Sequence, residues 1–140
     1  MFVLAAGSGG LVSIAVEGKV DEPFGDTVID WLGADPSSGK ETRLAYLCNL
    51  LGITTDDASI LRYQLLHRTA SAIIEAERFD AKTAVMLVHS WAPNREGFDD
   101  YSAFVSALGG SPSLDSVTDV EAVDNLYIGW ICGRPEWLTK

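Results

Sequence analysis

The sequence predicts an α/β domain, a mixed sheet of about four strands flanked by helices. Three observations predict this class: strand-length apolar runs near both ends of the chain, segments with helical spacing between them, and the resulting element order β-β-α-α-β-α-β. A long helix between two strands is typical of the crossover that joins parallel neighbours. The 140 residues suit one domain over residues 1–140.

The chain opens with a predicted β-hairpin. Residues 2–6 form its first strand, the glycine-rich residues 7–10 its turn, and residues 11–21 its second strand. Because side chains alternate faces along a strand, the apolar residues from Val12 to Val20 share one face of this second strand. Glu17, Lys19 and Asp21 share the other face, so a carboxylate and an ammonium point the same way, one pleat apart. Nucleases that bind a divalent cation use this arrangement.

Helices are predicted in the middle of the chain and again before its last strand. The predicted helical segments are a short turn over residues 27–32, a helix over residues 40–51 capped by Ser37 or Ser38 and ended by Gly52, a longer helix from Asp56 or Asp57 to Arg78, and a helix over residues 98–108. In the longer helix an apolar stripe is expected to be buried. Its members are Ile60, Tyr63, Leu66, Ala70, Ile73 and Ile74. A polar stripe with the same spacing contains Gln64, His67, Arg68, Ser71 and Glu75.

Two further strands are predicted over residues 84–90 and 126–132. The acidic residues 111–125 are expected to form a connection that is at best partly ordered. Residues 134–137 are expected to end the fold. In the loop after the hairpin, Phe24 is surrounded by charged residues, so we expect it either to fold a ligand loop over the strand end or to plug the core.

The composition excludes some classes of protein. A net charge of −10 argues against a general basic surface for duplex nucleic acid, although it leaves room for a local basic cleft. No apolar run is long enough to span a membrane. Cys48 and Cys132 are far apart in apolar surroundings, which favours buried thiols and a cytoplasmic location. The four tryptophans are expected in the core or at its rim, because they do not alternate with basic residues as a base-stacking platform does.

Residues 16–25 and 61–71 carry a resemblance to an uncharacterised bacterial family, and it extends over essentially the whole chain. That family resembles the restriction-endonuclease-like PD-(D/E)XK superfamily, whose core is a helix, three antiparallel strands, a helix and a strand. The link consists of Glu17-x-Lys19 at the end of a second hairpin strand and Gln64 in the following helix. The superfamily's metal-binding aspartate would fall just before Phe2, where this chain has Met1. The core's first helix and first strand are missing as well, so we expect either a naturally shortened nuclease-like domain or a start that has been placed too late.

The resemblance implies catalytic roles for Glu17, Lys19 and Gln64, with Mg²⁺ or Mn²⁺ at Glu17. Asp21 shares the face of Glu17 and is the expected second metal ligand, with Glu22 or Asp26 of the following loop as alternatives. His67 and Arg68 lie one helical turn beyond Gln64 and are expected to bind phosphate. A cation held by Glu17 alone would be weakly bound, because hard cations need several oxygen ligands.

Each of these residues also has a simpler interpretation. Glu17 and Lys19 can form a solvated ion pair on an exposed sheet face, and such pairs contribute roughly 0–1 kcal/mol. Gln64 can be a polar residue on the solvent side of its helix.

Two functions follow from these alternatives. One is metal-dependent phosphodiester hydrolysis, degenerate in this chain, with nucleic acid as the partner. The other is a non-catalytic interaction or regulatory module on the same scaffold, favoured by the missing aspartate and the −10 charge. The absent first strand leaves a bare sheet edge, which predicts a homodimer or a partner protein that covers it.

Overall fold

A computed structural model of the protein describes residues 1–134 and residue 136. Its strands are β1 (Phe2–Gly7), β2 (Gly10–Lys19), β3 (Thr83–Ser90), β4 (Ser116–Asp119) and β5 (Leu126–Cys132). Its helices are α1 (Val28–Leu32), α2 (Ser38–Leu51), α3 (Thr55–Ala58), α4 (Tyr63–Arg78) and α5 (Phe98–Ala107). The predicted α/β class with a mixed sheet is confirmed, with one strand more than expected. The predicted end of the fold at residues 134–137 includes positions outside the described residues.

The five strands form one mixed sheet in the order β1-β2-β3-β5-β4. β1 pairs antiparallel with β2, β2 pairs parallel with β3, β3 pairs parallel with β5, and β4 pairs antiparallel with β5. The helices α1 to α4 lie between β2 and β3 in the sequence, so they form the predicted crossover between parallel neighbours.

The predicted hairpin is confirmed, but its second strand ends earlier than expected. β2 stops at Lys19 rather than at Asp21. The backbone N–H groups of Val20 and Asp21 both donate to the side chain of Glu22, at 3.3 Å each, and this turns the chain out of the sheet. Asp21 is therefore an exposed loop residue and does not continue the face of Glu17.

The long helix predicted from Asp56 or Asp57 to Arg78 was wrong in its first third. α3 ends at Ala58, and α4 begins only at Tyr63. The residues between them pair with the segment around α1 instead: Val28 N donates to Leu61 O at 2.8 Å, and Tyr63 N donates to Asp26 O at 3.1 Å. These competing backbone hydrogen bonds replace the helical ones.

The buried stripe predicted for this helix is only partly right. Ile60 lies in the break and is 76% exposed, whereas Leu66 and Ala70 are buried as expected. The helix buries one face of mostly small and branched residues, namely Leu65, Leu66, Thr69, Ala70, Ala72 and Ala76.

Helix α2 begins one residue after its cap. The Ser37 hydroxyl accepts from Lys40 N at 3.3 Å, which resolves the choice between Ser37 and Ser38. At the other end, Gly52 adopts a left-handed conformation with φ of 66°, and its N–H donates to carbonyls of the last turn. Both ends of this helix agree with the local sequence signals.

The acidic residues 111–125 contain a strand that the sequence analysis missed. β4 pairs with β5 through the register Val117↔Gly129 and Thr118↔Ile128. A Cβ atom on Gly129 would lie 2.7 Å from side-chain atoms of both Leu87 and Val117. The glycine therefore leaves room for these two side chains to lie over β5.

The hydrophobic core lies between the helices and one face of the sheet. Trp130, Tyr101 and Phe24 are its largest buried side chains. Phe24 is 1% exposed and packs edge-on against Trp130 at 6.2 Å between ring centroids, so it plugs the core. Trp31 and Trp91 are partly buried, as expected for rim positions, and Trp137 lies outside the described residues.

Two expectations drawn from the composition, on membrane spans and on the cysteines, can be compared with the structure. Among the described residues, no helix is long and apolar enough to cross a membrane. Cys48 is buried and Cys132 is half-buried, and both thiols are free.

Candidate functional site

The end of β2 carries a cluster of four polar side chains, two of them buried and two half-buried, which we call the Glu17 cluster: Glu17, Lys19, Gln64 and Arg68. Glu17 and Lys19 come from β2, and Gln64 and Arg68 come from the first two turns of α4. Glu17 is 8% exposed and Lys19 is 3% exposed. The simpler interpretation of these two residues as a solvated surface pair is therefore wrong.

Both oxygens of the Glu17 carboxylate accept hydrogen bonds from α4. Arg68 Nε donates to Oε2 at 2.8 Å, and Gln64 Nε2 donates to Oε1 at 2.6 Å. Because residues four apart on a helix lie on the same face, Gln64 and Arg68 approach the carboxylate together. Lys19 Nζ lies 3.6 Å from Oε1, so two cations share one anion.

The Lys19 ammonium is held by three neighbours besides Glu17. Its Nζ donates to Gln64 Oε1 at 2.9 Å and to the Pro23 carbonyl at 3.1 Å, and it lies 4.9 Å from the centroid of the Phe24 ring. The Gln64 amide thus accepts from the lysine and donates to the glutamate. A short amide side chain bridges both charges, which satisfies the hydrogen-bonding requirement of a buried ion pair.

A groove adjoins the cluster between β1 and α4. Its volume is about 410 Å³, and its lining includes Phe2, Ala15, Arg68, Arg78 and Phe79. The Arg68 side chain is 31% exposed, so it is the member of the cluster that contacts this groove. The lining is mixed, because Glu75 also contributes to it and pairs with Arg78.

Two of the predicted site residues lie outside the cluster. His67 is exposed, on a neighbouring face of α4, where it lines a second groove with Arg43 of α2. Desolvation by the groups packed beside the imidazole lowers the pKa of His67 although its surface is exposed, and the charges of Arg68 and Arg43 lower it further, against an opposing effect of Glu17. Asp21 is in the exposed loop beyond β2. The predicted phosphate-binding pair is therefore separated, and the predicted metal pair is not formed.

The residues of the cluster do not fit a magnesium or manganese ion. Glu17 is the only carboxylate among the four residues, and both of its oxygens already accept hydrogen bonds from α4. In the part of the chain that the structure describes, no three His, Cys, Asp or Glu residues are grouped so that they could hold a metal. Asp21 is exposed in the loop after β2, and Glu22, the next acidic residue, accepts hydrogen bonds from backbone N–H groups of its own loop. A hard divalent cation requires several oxygen ligands, and this arrangement supplies one occupied carboxylate.

Sequence reasoning found all four members of the cluster but assigned Arg68 a different contact. It was expected to bind phosphate, and in the structure it pairs with Glu17. The spacing of four residues between Gln64 and Arg68 could have indicated the contact with Glu17. It places both side chains on the same face of the helix, and Gln64 was already expected to approach Glu17 and Lys19 from that face. A further contact that was missed is the buried hydrogen bond from the Ser13 hydroxyl to the Ala72 carbonyl at 2.8 Å, which ties β2 to α4 along the same face.

The fold and the site together define a class: an α/β domain with a mixed sheet in which a buried, fully paired charge cluster joins the sheet to its crossover helix. Comparison with known families gives a membership. A family model described as "Domain of unknown function (DUF6946)" matches residues 1–135, and the chain belongs to this family. No curated protein and no solved structure matches the chain.

Proposed function

We propose that this protein is a nuclease-like domain with a degenerate metal site that acts as a non-catalytic interaction module. Two features support the nuclease-like scaffold. Glu17, Lys19 and Gln64 converge in the way that the resemblance to the PD-(D/E)XK superfamily implies. The hairpin β1-β2, the crossover helix α4 and the parallel strand β3 follow the order of the latter part of that core.

The proposal that the domain is non-catalytic rests on the hydrogen-bond partners of the Glu17 carboxylate. That carboxylate is paired with Arg68 at 2.8 Å and bonded to Gln64 at 2.6 Å. A carboxylate that serves a metal needs further oxygen ligands beside it, whereas the neighbours of this one are the Lys19 and Arg68 cations and the Gln64 amide nitrogen. Here the same residues join β2 to α4 and act as a structural brace.

A bare sheet edge supports the interaction part of the proposal. β1 is an edge strand, and Met1 and Val16 exchange backbone hydrogen bonds at 2.9 and 2.8 Å. Because bonded and non-bonded pairs alternate in an antiparallel ladder, the N–H and C=O groups of Phe2, Leu4 and Ala6 point away from β2. Phe2 is 40% exposed and Leu4 is 39% exposed. An apolar edge of this kind can pair with a strand of a partner protein or of a second copy.

The second candidate function is metal-dependent phosphodiester hydrolysis with Mg²⁺ or Mn²⁺ and a nucleic-acid substrate. The convergence of Glu17, Lys19 and Gln64 favours it. The pairing of Glu17 with Arg68 opposes it. We therefore derive no catalytic step for this chain. A cytoplasmic location also belongs to the proposal, and the two free thiols are compatible with a reducing compartment.

A cleavage and metal-binding assay separates the two candidates. We expect no cleavage of plasmid or single-stranded DNA by the wild-type protein with Mg²⁺ or Mn²⁺, and no saturable Mn²⁺ binding by calorimetry below about 1 mM. The proposal is overturned if the wild type cleaves and Lys19→Ala abolishes the cleavage while Lys82→Ala, a matched change at an exposed lysine, retains it. Circular dichroism of both variants verifies that each is folded.

A further inference from the structure

The helices and the core lie on one side of the sheet. On β2 the buried side chains are Ser13, Ala15, Glu17 and Lys19, and α4 contacts them. Through the strand register this side continues to Val88 of β3 and Trp130 of β5. The rings of Phe98 and Tyr101, both in α5, lie 5.3 Å from the Trp130 ring. We call this side the covered face.

The opposite side, which we call the open face, is largely apolar, and its centre has no comparable cover among the described residues. At the carboxyl ends of the strands the ring of Trp91 lies against His89, with 3.9 Å between ring centroids. Its central side chains are each only half-buried, in contrast to their buried neighbours on the covered face: Val12, Ile14, Val16, Val85, Leu87 and Ile131. At its margins Val3 of β1 is 39% exposed and Val117 of β4 is 52% exposed. The parallel strands β2, β3 and β5 thus have one bare face, although parallel sheets normally bury both.

Charged side chains are absent from the centre of the open face. None of the residues that β2, β3 and β5 place there is Asp, Glu, Lys or Arg, and among the residues of the five strands on this face only Asp119 of β4 is acidic. The net charge of −10 is therefore carried elsewhere. A basic partner would be attracted to that acidic surface, whereas an uncharged apolar sheet suits another uncharged apolar sheet.

We propose that the open face is covered by the open face of a second copy of this chain, in a two-fold symmetric dimer with sheet packed on sheet. This inference rests on the proposed interaction module and names its partner. A two-fold interface uses the same patch on both copies, and a twisted sheet face is complementary to itself at an angle of about 30°. Uncharged centres also let two acidic chains meet without like charges in contact.

The size of the open face agrees with this proposal. Five strands about 4.8 Å apart and roughly six residues of about 3.3 Å each give a patch on the order of 500 Å² per copy. Two copies would then bury about 1,000 Å², which is the lower bound for a specific protein interface. The patch is also as large as the largest apolar patches found on monomers, about 300–600 Å².

Analytical ultracentrifugation of matched variants tests the dimer. We expect the wild type to sediment at twice the 15.1 kDa chain mass. Val85→Lys, at the centre of the open face, should weaken dimerisation by at least about tenfold, and Val85→Thr should weaken it less. Ile60→Lys is the control, because Ile60 is exposed but lies away from the sheet. Added NaCl should strengthen the wild-type dimer, since salt screens the repulsion of two acidic chains.

Three results would overturn the inference. The first is a wild-type protein that is monomeric at about 100 µM. The second is a dimer that neither Val85→Lys nor Val85→Thr weakens, and the third is a dimer that dissociates with Leu4→Pro but with neither Val85 variant. The last result would assign the contact to the β1 edge. If Val85→Lys does not fold, Val85→Thr carries the comparison, because it keeps the branched shape of valine. None of these results alters the outcome of the cleavage and metal assays, so failure of the dimer is distinguishable from failure of the proposed function.

Discussion

The Glu17 cluster shows how a buried charge is stabilised at the level of single residues. The Lys19 side chain is 4% exposed and that of Glu17 is 11% exposed, so both charges have left water. Such burial is tolerated only when the opposite charge and additional hydrogen bonds are present. Arg68, Gln64 and the Pro23 carbonyl provide them. This complete set of partners is the reason to regard the cluster as a structural brace.

Replacing the Glu17 carboxylate tests whether the Glu17 cluster stabilises the fold. We expect Glu17→Gln to lower the free energy of unfolding by about 3–5 kcal/mol, because Lys19 is left buried without its counter-ion. The double variant Glu17→Gln/Lys19→Met should recover part of that loss, which gives a favourable coupling energy in a double-mutant cycle. Urea denaturation measures each value.

The matched control for this cycle is Glu75→Gln. Glu75 pairs with the side chain of Arg78, which is 70% exposed, so its loss should cost less than about 1 kcal/mol. Equal losses for Glu17→Gln and Glu75→Gln would show that the Glu17 cluster contributes no more than a surface pair.

The buried hydroxyl of Tyr101 should lower the stability of the fold, because it has no hydrogen-bond partner among the described residues. Burial raises the pKa of Tyr101 to about 12. An unfolded tyrosine loses its proton near pH 10, so between about pH 10 and 12 the folded state binds more protons and stability falls as the pH rises. Burial also raises the pKa values of Cys48 and Cys132, so we expect Tyr101→Phe to reduce that fall and not to abolish it, and to raise stability by about 1 kcal/mol at pH 8.

Chemical denaturation at about pH 8 and pH 11 measures both effects of Tyr101→Phe. Tyr46→Phe is the control, because Tyr46 is 52% exposed and should change neither value. A Tyr101→Phe protein that is less stable than the wild type at pH 8 would show that the hydroxyl has a favourable contact.

At the scale of elements, local signals were reliable where one residue determines a boundary. The end of α2 at Gly52 and the bounds of β5 agree with prediction. Boundaries that depend on distant pairing were not predictable. The break between α3 and α4 exists because residues near α1 take the backbone hydrogen bonds of that segment. β4 has four residues and is recognisable only beside β5.

The cap of α2 gives a test at this scale. Ser37→Ala removes the side-chain acceptor of the Lys40 N–H and should destabilise the protein by about 1 kcal/mol. Ser38→Ala should change stability by less than about 0.5 kcal/mol, because Ser38 is the first helical residue and alanine favours helix. Thermal or urea unfolding distinguishes the two. A larger loss for Ser38→Ala would place the cap at Ser38, and equal losses would show that the Ser37 hydroxyl does not stabilise the helix end.

At the scale of the whole molecule, the main result is the difference between the two faces of the sheet. Both faces are rich in apolar residues, so the sequence alone did not indicate which one the helices would cover. On β2 the helices cover the side that contains Ser13, Glu17 and Lys19, and the side with Val12, Ile14 and Val16 is open. The polar cluster is therefore internal, and the apolar open face is the surface available for a partner.

The sequence by itself determined the α/β class, the hairpin, the parallel crossover and the shared direction of Glu17 and Lys19. These depend on period, spacing and single-residue signals, which act over a few residues. Gln64 was identified from the resemblance to the PD-(D/E)XK superfamily, and Arg68 from its spacing to Gln64. Asp21 leaves the strand at a local turn, in which the N–H groups of Val20 and Asp21 donate to the side chain of Glu22, and the alternation of side chains along the strand did not indicate this turn. Only the tertiary structure decided that Arg68 pairs with Glu17 rather than with phosphate, and which face of the sheet is covered. These two outcomes depend on contacts between residues distant in sequence, about 50 positions for Arg68 and Glu17, and a local pattern carries no information about such contacts.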